Sequence, residues 1–551
     1  MLRDLRHAAR LLLRNKGWTL VVVLSLALGI GANTAIFTAV NGLLLRTIPA
    51  DRPDTLVRFR AVGANDLGTD FSEYDRVQPT GGLQTSTTFS YPMYLAFRSA
   101  NQTLVDLFAS AQLFDTSVVV DGQAEAVSGV IASGNYFQVL GIQAETGRTL
   151  TPDDDRPGAP PVAVISHGYF MRRFGGNRSA IGSVLRIANL PVTIVGVTPP
   201  EFTGVQRPLA EARDITIPLS LDPQLAGAAD PSRTEGELKL PRLERATTWW
   251  LQVMGRVKPG VTPEQVQGNF AGVFDQVARQ AWTGFLGALP PERRSAAQYQ
   301  NRTKAPQLRV QPGAHGLYDV SPESYRAVAL LGIVVGLVLL IVCANVANLL
   351  LSRATTRQRE ISVRLSLGAT RARLIRQLLT ESILLAGVGA SAGLLVAWWG
   401  RTLLPDNLAP GAPIDWRILG FVAALTVASG VLFGIAPALR SSGINVALKE
   451  GGRGVYGGRS RLGKSLVVAQ VAISLVLLVG AGLFLRTVRN LRSVDVGFES
   501  GNLLLVPINP AQNRYDSRGS STCTARCSRS CRACPASAPR PRRSRRSCRA
   551  A

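Results

Sequence analysis

Residues 327–351 read AVALLGIVVGLVLLIVCANVANLLL and contain no charged side chain. An α-helix needs about 20 consecutive apolar residues to cross the hydrocarbon core of a bilayer, so this stretch predicts a transmembrane helix. Four more uncharged stretches are long enough for the same role: residues 18–45, 383–400, 418–439 and 465–485. The sequence therefore predicts an α-helical membrane protein with about five transmembrane helices.

Lys and Arg residues beside these stretches predict which side of the membrane each loop occupies, because basic residues concentrate in cytoplasmic loops. Residues 1–17, the loop after the second stretch and the linker 441–464 are rich in Lys and Arg, whereas residues 402–416 contain neither. The alternation predicts a cytoplasmic N-terminus and places residues 46–326 outside the cytoplasm. Three arginines that follow the fifth stretch conflict locally with this topology: Arg486, Arg489 and Arg492.

The outer segment 46–326 has the mixed pattern of an α/β domain. Residues 116–133 (TSVVVDGQAEAVSGVIAS) predict two strands joined by an Asp-Gly turn, and residues 184–202 predict a second hairpin. Residues 161–166 predict a buried strand followed by a short helix, and residues 259–280 predict a helix that begins near a proline. We expect a large mixed α/β extracytoplasmic domain.

The C-terminal part begins to repeat the N-terminal part and then changes character. LLLRTI at 43–48 is echoed by LFLRTV at 483–488, so residues 486–516 are interpreted as the start of a second outer domain. Residues 517–551 contain no Leu, Ile, Val or Phe and hold five of the six cysteines. Such a segment cannot bury a core. It is either a basic or metal-binding tail, with Cys531 and Cys534 as half of a zinc knuckle, or an out-of-frame translation, which the broken repeat favours.

Neither the charge nor the nucleotide-like motifs predict nucleic-acid or ATP binding by this chain. Ten arginines between residues 518 and 549 supply much of the net charge of +25, and many others flank the membrane stretches. Residues 458–465 (GRSRLGKS) fit the phosphate-loop spacing, but a glycine-rich segment precedes them and a membrane stretch follows. Residues 389–393 (GASAG) fit a serine-hydrolase elbow but lie inside the third stretch. We expect no catalytic site, no cofactor and no metal.

The loop between the second and third stretches is the most informative polar segment. Residues 352–387 read SRATTRQREISVRLSLGATRARLIRQLLTESILLAG and predict a short amphipathic cytoplasmic helix that stops near Gly368. Glu360 and Arg364 are spaced to pair across one turn, with Arg357 and Arg371 toward the same side. This helix could dock on a cytoplasmic partner or lie on anionic lipid, and its chemistry alone leaves the two interpretations even.

Small and amide residues inside the membrane stretches predict helix packing. Gly332 and Gly336, like Gly389 and Gly393, have the spacing that lets helices approach closely. Amide side chains can hydrogen-bond across helices. The candidates for such bonds are Asn33, Asn345 and Asn348.

The order of one helix, a large outer domain and three helices (residues 327–440) resembles the MacB/FtsX-type permeases of ABC transporters. The loop resembles the cytoplasmic loop of that family, with matching residues Arg359, Glu360, Arg364, Gly368, Ala369 and Glu381. Residues 131–150, 161–176 and 193–204 resemble the MacB-like periplasmic core domain. The resemblance covers roughly residues 1–515. Some members of the family carry the whole unit of helix, outer domain and three helices twice, and this sequence resembles such a member with a truncated second copy.

The resemblance implies a multi-pass permease of the bacterial inner membrane, with its N-terminus in the cytoplasm. A separate ATPase dimer would bind ATP, dock on the loop through Arg357, Arg359, Glu360, Arg364, Gly368 and Arg371, and move the outer domain. Partners implied with it are membrane lipid, a second copy, a periplasmic adaptor and an outer-membrane channel. An FtsX-like regulator of cell-envelope enzymes, a lipoprotein-releasing permease and a membrane-anchored sensor remain alternatives.

Overall fold

The computed structural model describes residues 16–41, 46–71, 85–206, 212–225, 240–296, 299–300, 302–317, 322–356, 370–400, 416–442 and 461–493. Most of the predicted segments 1–17, 441–464 and 486–516, and all of 517–551, lie outside these ranges. The described residues form two compact units, one of long helices and one built on a sheet.

The helices and strands are numbered here in chain order. The helices are α1 (Lys16–Val40), α2 (Tyr91–Ser99), α3 (Tyr136–Leu140), α4 (His167–Phe174), α5 (Asp222–Leu225), α6 (Pro263–Ala288), α7 (Pro291–Arg294), α8 (Pro322–Thr356), α9 (Arg371–Gly400), α10 (Trp416–Ser442) and α11 (Arg461–Arg492). The strands are β1 (Leu56–Val62), β2 (Asp70–Phe71), β3 (Thr85–Ser86), β4 (Thr88–Phe89), β5 (Leu104–Val120), β6 (Gln123–Ala132), β7 (Thr146–Gly147), β8 (Val162–Ile165), β9 (Val184–Ile187), β10 (Leu190–Val197), β11 (Ile215–Pro218), β12 (Thr248–Trp249), β13 (Leu251–Val257) and β14 (Gln307–Pro312).

Four helices of the helical unit are long and apolar enough to cross a membrane, and α10 contains a shorter apolar segment, Trp416–Leu432. The four candidate spans are Lys16–Thr38, Val328–Leu350, Ile375–Trp399 and Val467–Arg492. The predicted membrane class is thereby confirmed. The helices extend beyond the uncharged stretches, because a helix can continue into the polar interface after its apolar segment ends. For example, α9 begins at Arg371, well before residue 383.

Helices α1, α8, α9 and α10 share one apolar core. Its buried side chains come from all four helices: Val22, Leu26, Ile30, Leu339, Cys343, Val346, Ala347, Leu385, Ala386, Ala390, Ile418 and Val422. By contrast, α11 contacts α8 and leaves its large side chains exposed, with Val468 at 68% and Leu478 at 71%. In a bilayer such side chains would face lipid.

The other unit is built on a mixed sheet with strand order β14-β1-β13-β5-β6-β11-β8-β10-β7. The pairs β10–β8 and β11–β6 are parallel, and the other pairs in this order are antiparallel. One core contains aromatic side chains of α2 and α6 with Phe59, and a second contains those of α3 with Phe108. Because both faces of the sheet bury apolar residues, this unit is a layered α/β domain.

The local predictions for this domain are confirmed, and two elements, β5 and α6, extend beyond the predicted residues. Strands β5 and β6 pair around Asp121 and Gly122, both at positive φ, and β9 and β10 form the second hairpin. The predicted helix at 259–280 is α6, capped by Thr262 with Pro263 in its first turn. Strand β5 begins at Leu104, ahead of the predicted hairpin, because Leu107, Phe108 and Ala109 are all fully buried. A strand buried on both faces loses the alternation that sequence reading relies on.

Candidate functional site

The predicted ATPase-coupling loop lies largely outside the described residues. This applies to Arg357, Arg359, Glu360, Arg364 and Gly368, whereas Arg371 is the first residue of α9. The structure does give the frame of the loop, because α8 ends at Thr356 and α9 begins at Arg371. Movement of the loop must therefore act on these two helices, and the roles of its residues stay predictions.

The phosphate-loop motif runs into a membrane-length helix. Residues 458–460 lie outside the described ranges, and Arg461 is the first residue of α11. Lys464 follows in the first turn with an exposed side chain, just before the candidate span that starts at Val467. Lys464 is thus placed as a basic residue flanking a membrane span.

Helix α1 is held to the end of α8 that precedes the coupling loop. The guanidinium of Arg353, in the last turn of α8, lies 4.5 Å from the centre of the Trp18 ring. A cation at this distance is attracted by the electron-rich ring face. The start of α1 is therefore attached close to the point where α8 enters the loop.

Gly389 and Gly393 lie where α9 meets α1. A Cβ placed on Gly389 would lie 2.6 Å from Leu26 Cβ, and one on Gly393 would lie 3.0 Å from the Ala27 carbonyl oxygen. The contact is mutual, since a Cβ on Gly31 would lie 2.9 Å from the Gly393 carbonyl oxygen. The structure thus brings a second small-residue pair, Ala27 and Gly31, against the predicted one. Its spacing was readable in the sequence.

Helix α1 also contacts α8 closely. A Cβ on Gly29 would lie 3.2 Å from Val342 Cγ2, and Asn33 Nδ2 donates to the Val335 carbonyl oxygen at 3.1 Å. Of the three predicted amides, Asn33 is thus the one that makes a hydrogen bond between helices within the described structure.

The remaining predicted packing residues of α8 are placed differently. No described atom lies within 4 Å of a Cβ built on Gly332 or Gly336. Asn345 and Asn348 are partly exposed, and no hydrogen bond joins either side chain to another described residue. Among the described residues, the two glycines thus have no close neighbour and the two asparagines form no hydrogen bond between helices.

The segment that follows α1 in the chain, residues 48–55, is tied to the body of the α/β domain; we call it the strap. The backbone N–H of Ile48 donates to Ala314 O at 2.8 Å, and that of Asp51 donates to Leu140 O at 2.9 Å. A Cβ on Gly141, which has φ +73°, would lie 2.5 Å from Asp51 Cβ. The strap is thus fixed at several points.

Arg256 on β13 is the main side-chain anchor of the strap. Its guanidinium donates to Asp51 O at 2.7 Å, Thr55 Oγ1 at 2.6 Å and Val139 O at 2.9 Å, and more weakly to Arg52 O at 3.3 Å. Burial lowers the pKa of Arg256, which Asp51 partly opposes. No sequence pattern signals this role, because a single arginine in a strand has no distinguishing spacing.

The segment 131–150, which resembles the periplasmic core domain, is explained by packing around the start of α3. Asn135 Nδ2 donates to Asp106 Oδ2 at 2.6 Å, and Ser133 Oγ donates to Asn135 Oδ1 at 2.7 Å. A Cβ on Gly134 would lie 2.3 Å from Thr151 O, so only glycine fits there. Asp155 accepts the Gly134 N–H at 3.1 Å. These contacts hold the start of α3 against the rest of the domain.

A small cavity in the α/β domain has room for a water molecule and no more. It has a volume of about 20 Å³ and is lined in part by Val130, Thr198, Phe202 and Gln206. A space of that size holds about one water molecule, far less than an organic ligand requires. Within the described ranges, no group of three or more His, Cys, Asp or Glu side chains is placed to hold a metal ion.

Comparison with known proteins accounts for both units. Residues 19–273 match the family model of the MacB-like periplasmic core domain, and residues 332–446 match that of the FtsX-like permease C-terminal domain. The chain belongs to the MacB/FtsX-type permease family. The two matched domains together account for α1, most of the α/β domain, and helices α8 to α10.

Three curated relatives show how far the likeness extends. YknZ of Bacillus subtilis, named an ABC transporter permease, is 31% identical over 56% of this chain and 65% of its own. The pyoverdine export ATP-binding/permease protein PvdT of Pseudomonas syringae pv. tomato is 26% identical over 57% of this chain and 39% of its own. The macrolide export ATP-binding/permease protein MacB of Rhodospirillum rubrum is 24% identical over 76% and 54% respectively. The chain thus spans less than two thirds of each of these relatives.

Proposed function

We propose that this permease is the membrane subunit of an ABC transporter and that it couples ATP hydrolysis by a separate ATPase to movement of the α/β domain. The main support is the presence in one chain of both family domains, in order. Relatives named as ATP-binding/permease export proteins add support for an ABC ATPase partner. ATP is bound and hydrolysed by that partner.

The proposed path of coupling runs from the loop to the domain through α1. An ATPase dimer docks on residues 357–371 and shifts the ends of α8 and α9. Helix α1, attached to α8 at Trp18 and to α9 at Gly31, moves with them and pulls on the strap. The protein lies in the bacterial inner membrane with its N-terminus in the cytoplasm, surrounded by lipid. A second copy, a periplasmic adaptor and an outer-membrane channel complete the proposed export assembly.

Affinity purification from native membranes in mild detergent, followed by mass spectrometry, tests this proposal. We expect an ABC ATPase to be retained by the wild type and lost when Arg357 and Arg364 are both changed to Glu. Arg309→Glu is the matched control, because Arg309 is exposed on β14 and its side chain makes no hydrogen bond to another described residue. Failure of the wild type to retain any ABC ATPase, under conditions that preserve other transporters, would refute the proposal.

A further inference from the structure

Residues 29–33 of α1, with the sequence GIGAN, present two contact faces on opposite sides of the helix. Residues four apart share a face, and residues two apart are separated by about 200° around an α-helix. Gly29 and Asn33 therefore lie on one face, where they meet α8. Ala27 and Gly31 lie on the other, where they meet Gly393 of α9. Helix α1 is thus wedged between the two helices that bracket the coupling loop.

The contact with α9 fixes the axial position of α1. At Gly31 even a Cβ atom would lie 2.9 Å from a backbone oxygen, a separation that real Cβ atoms essentially never show. Moving α1 by one residue of register, which combines a shift of about 1.5 Å with a rotation of about 100°, would bring the side chain of Ile30 or Ala32 toward the same oxygen. Because the obstruction is backbone, no change of rotamer relieves it. The register of α1 on α9 is therefore set by shape.

The contact with α8 adds a directional bond. Asn33 Nδ2 donates both to Gly29 O of its own helix at 2.8 Å and to Val335 O of α8 at 3.1 Å. The side chain is therefore held by α1 while it reaches α8. Hydrogen bonds between membrane helices are strengthened by the lack of competing water, although the gain is modest.

We propose that residues 29–33 form a joint that makes α1 move with α8 and α9, the two helices that flank the coupling loop. Gly31 and Asn33 are the positioning residues of this joint. This inference rests on the proposed function. The joint carries movement of α8 and α9 to the strap without slippage. A substitution that loosens it leaves the ATPase bound and active but no longer linked to the α/β domain.

The test uses the full chain, purified with its retained ATPase and reconstituted in lipid nanodiscs. Hydrogen exchange of peptides from residues 46–62, followed by mass spectrometry, is compared between ADP and ATP plus vanadate. We expect a nucleotide-dependent difference in the wild type. Gly31→Val and Asn33→Leu should reduce that difference by about threefold or more, while ATP hydrolysis continues. Gly332→Val and Asn345→Leu are matched controls and should preserve it.

The outcomes separate this inference from the proposed function. A wild type with no nucleotide-dependent change would overturn both. A change that persists in both joint variants would overturn the joint and leave the permease proposal standing. If Gly31→Val alone loses the ATPase through misfolding, Asn33→Leu carries the test. Loss of the ATPase from both joint variants and neither control would also overturn the inference, because the segment would then serve assembly and not transmission.

Discussion

Replacing Arg256 by Met should release the strap from the α/β domain while leaving the sheet intact. Methionine retains an apolar stem of similar length but cannot donate to Asp51 O, Thr55 Oγ1 or Val139 O. Three of the four bonds of Arg256 end on the strap, and at about 1–1.5 kcal/mol net for each the loss is about 3–4.5 kcal/mol. Removing the partly buried charge also removes its desolvation penalty, which offsets part of this loss. We expect the strap to be destabilised by about 2–4 kcal/mol.

Native-state hydrogen exchange of the full chain in detergent measures this loss locally. The amides of Ile48 and Asp51 are hydrogen-bonded to the body of the domain and report opening of the strap. A destabilisation of 2–4 kcal/mol corresponds to exchange faster by about 30-fold to 10³-fold. Peptides from the central strand β5 should be unaffected, because its residues Leu107, Phe108 and Ala109 stay buried.

Two further variants serve as controls for the loss of the Arg256 hydrogen bonds. Arg309→Met removes an exposed arginine of the same domain and should change stability by less than about 0.5 kcal/mol. Arg256→Lys keeps the charge but loses the planar fork, so it should fall between wild type and Arg256→Met. If strap exchange in Arg256→Met stays within about threefold of wild type, the strap is held by other contacts and the anchor role is refuted.

Three other predictions concern the stability of the α/β domain. Phe270→Ala, in a fully buried cluster of aromatic rings, should lower the free energy of unfolding by about 3–5 kcal/mol, as measured by denaturant unfolding. Val105→Ala, at an exposed site, should lower it by less than about 0.5 kcal/mol. Gly196→Ala places a Cβ 1.9 Å from Arg148 O and should lower the melting temperature, whereas Gly168→Ala, with no atom closer than 4.0 Å, should leave it unchanged or raised. Burial raises the pKa of Asp155, although hydrogen bonds from the Ser220 and Gly134 N–H groups oppose the shift. The protonated carboxyl therefore stabilises the fold at pH values below its ordinary pKa of 3.8. This contribution is lost as pH rises through the folded pKa. The melting temperature of wild type relative to Asp155→Asn should therefore fall as pH rises from 4, and a flat difference would contradict the assignment.

The membrane helices and the local turns could be read from the sequence. Uncharged stretches of sufficient length dictate helices in a bilayer, since every backbone polar group must be satisfied within the segment. The Asp121–Gly122 turn was equally readable, because both residues tolerate the positive φ that a tight hairpin demands. The loop residues Arg359, Glu360 and Arg364 were also identified from the sequence, by their resemblance to a family, and the pull-down experiment tests the role of Arg364.

Only the tertiary structure decided which of several equivalent sequence patterns form contacts between helices. Gly332 and Gly336 have the same spacing as Gly389 and Gly393, yet only the second pair meets another helix among the described residues. Likewise, Asn33 bonds to Val335 O, whereas the α8 asparagines 345 and 348 make no such bond within the described structure. Spacing determines which residues share a face of a helix, because the helical repeat is fixed. It does not determine which face a neighbour covers, since that depends on how residues distant in the chain pack together.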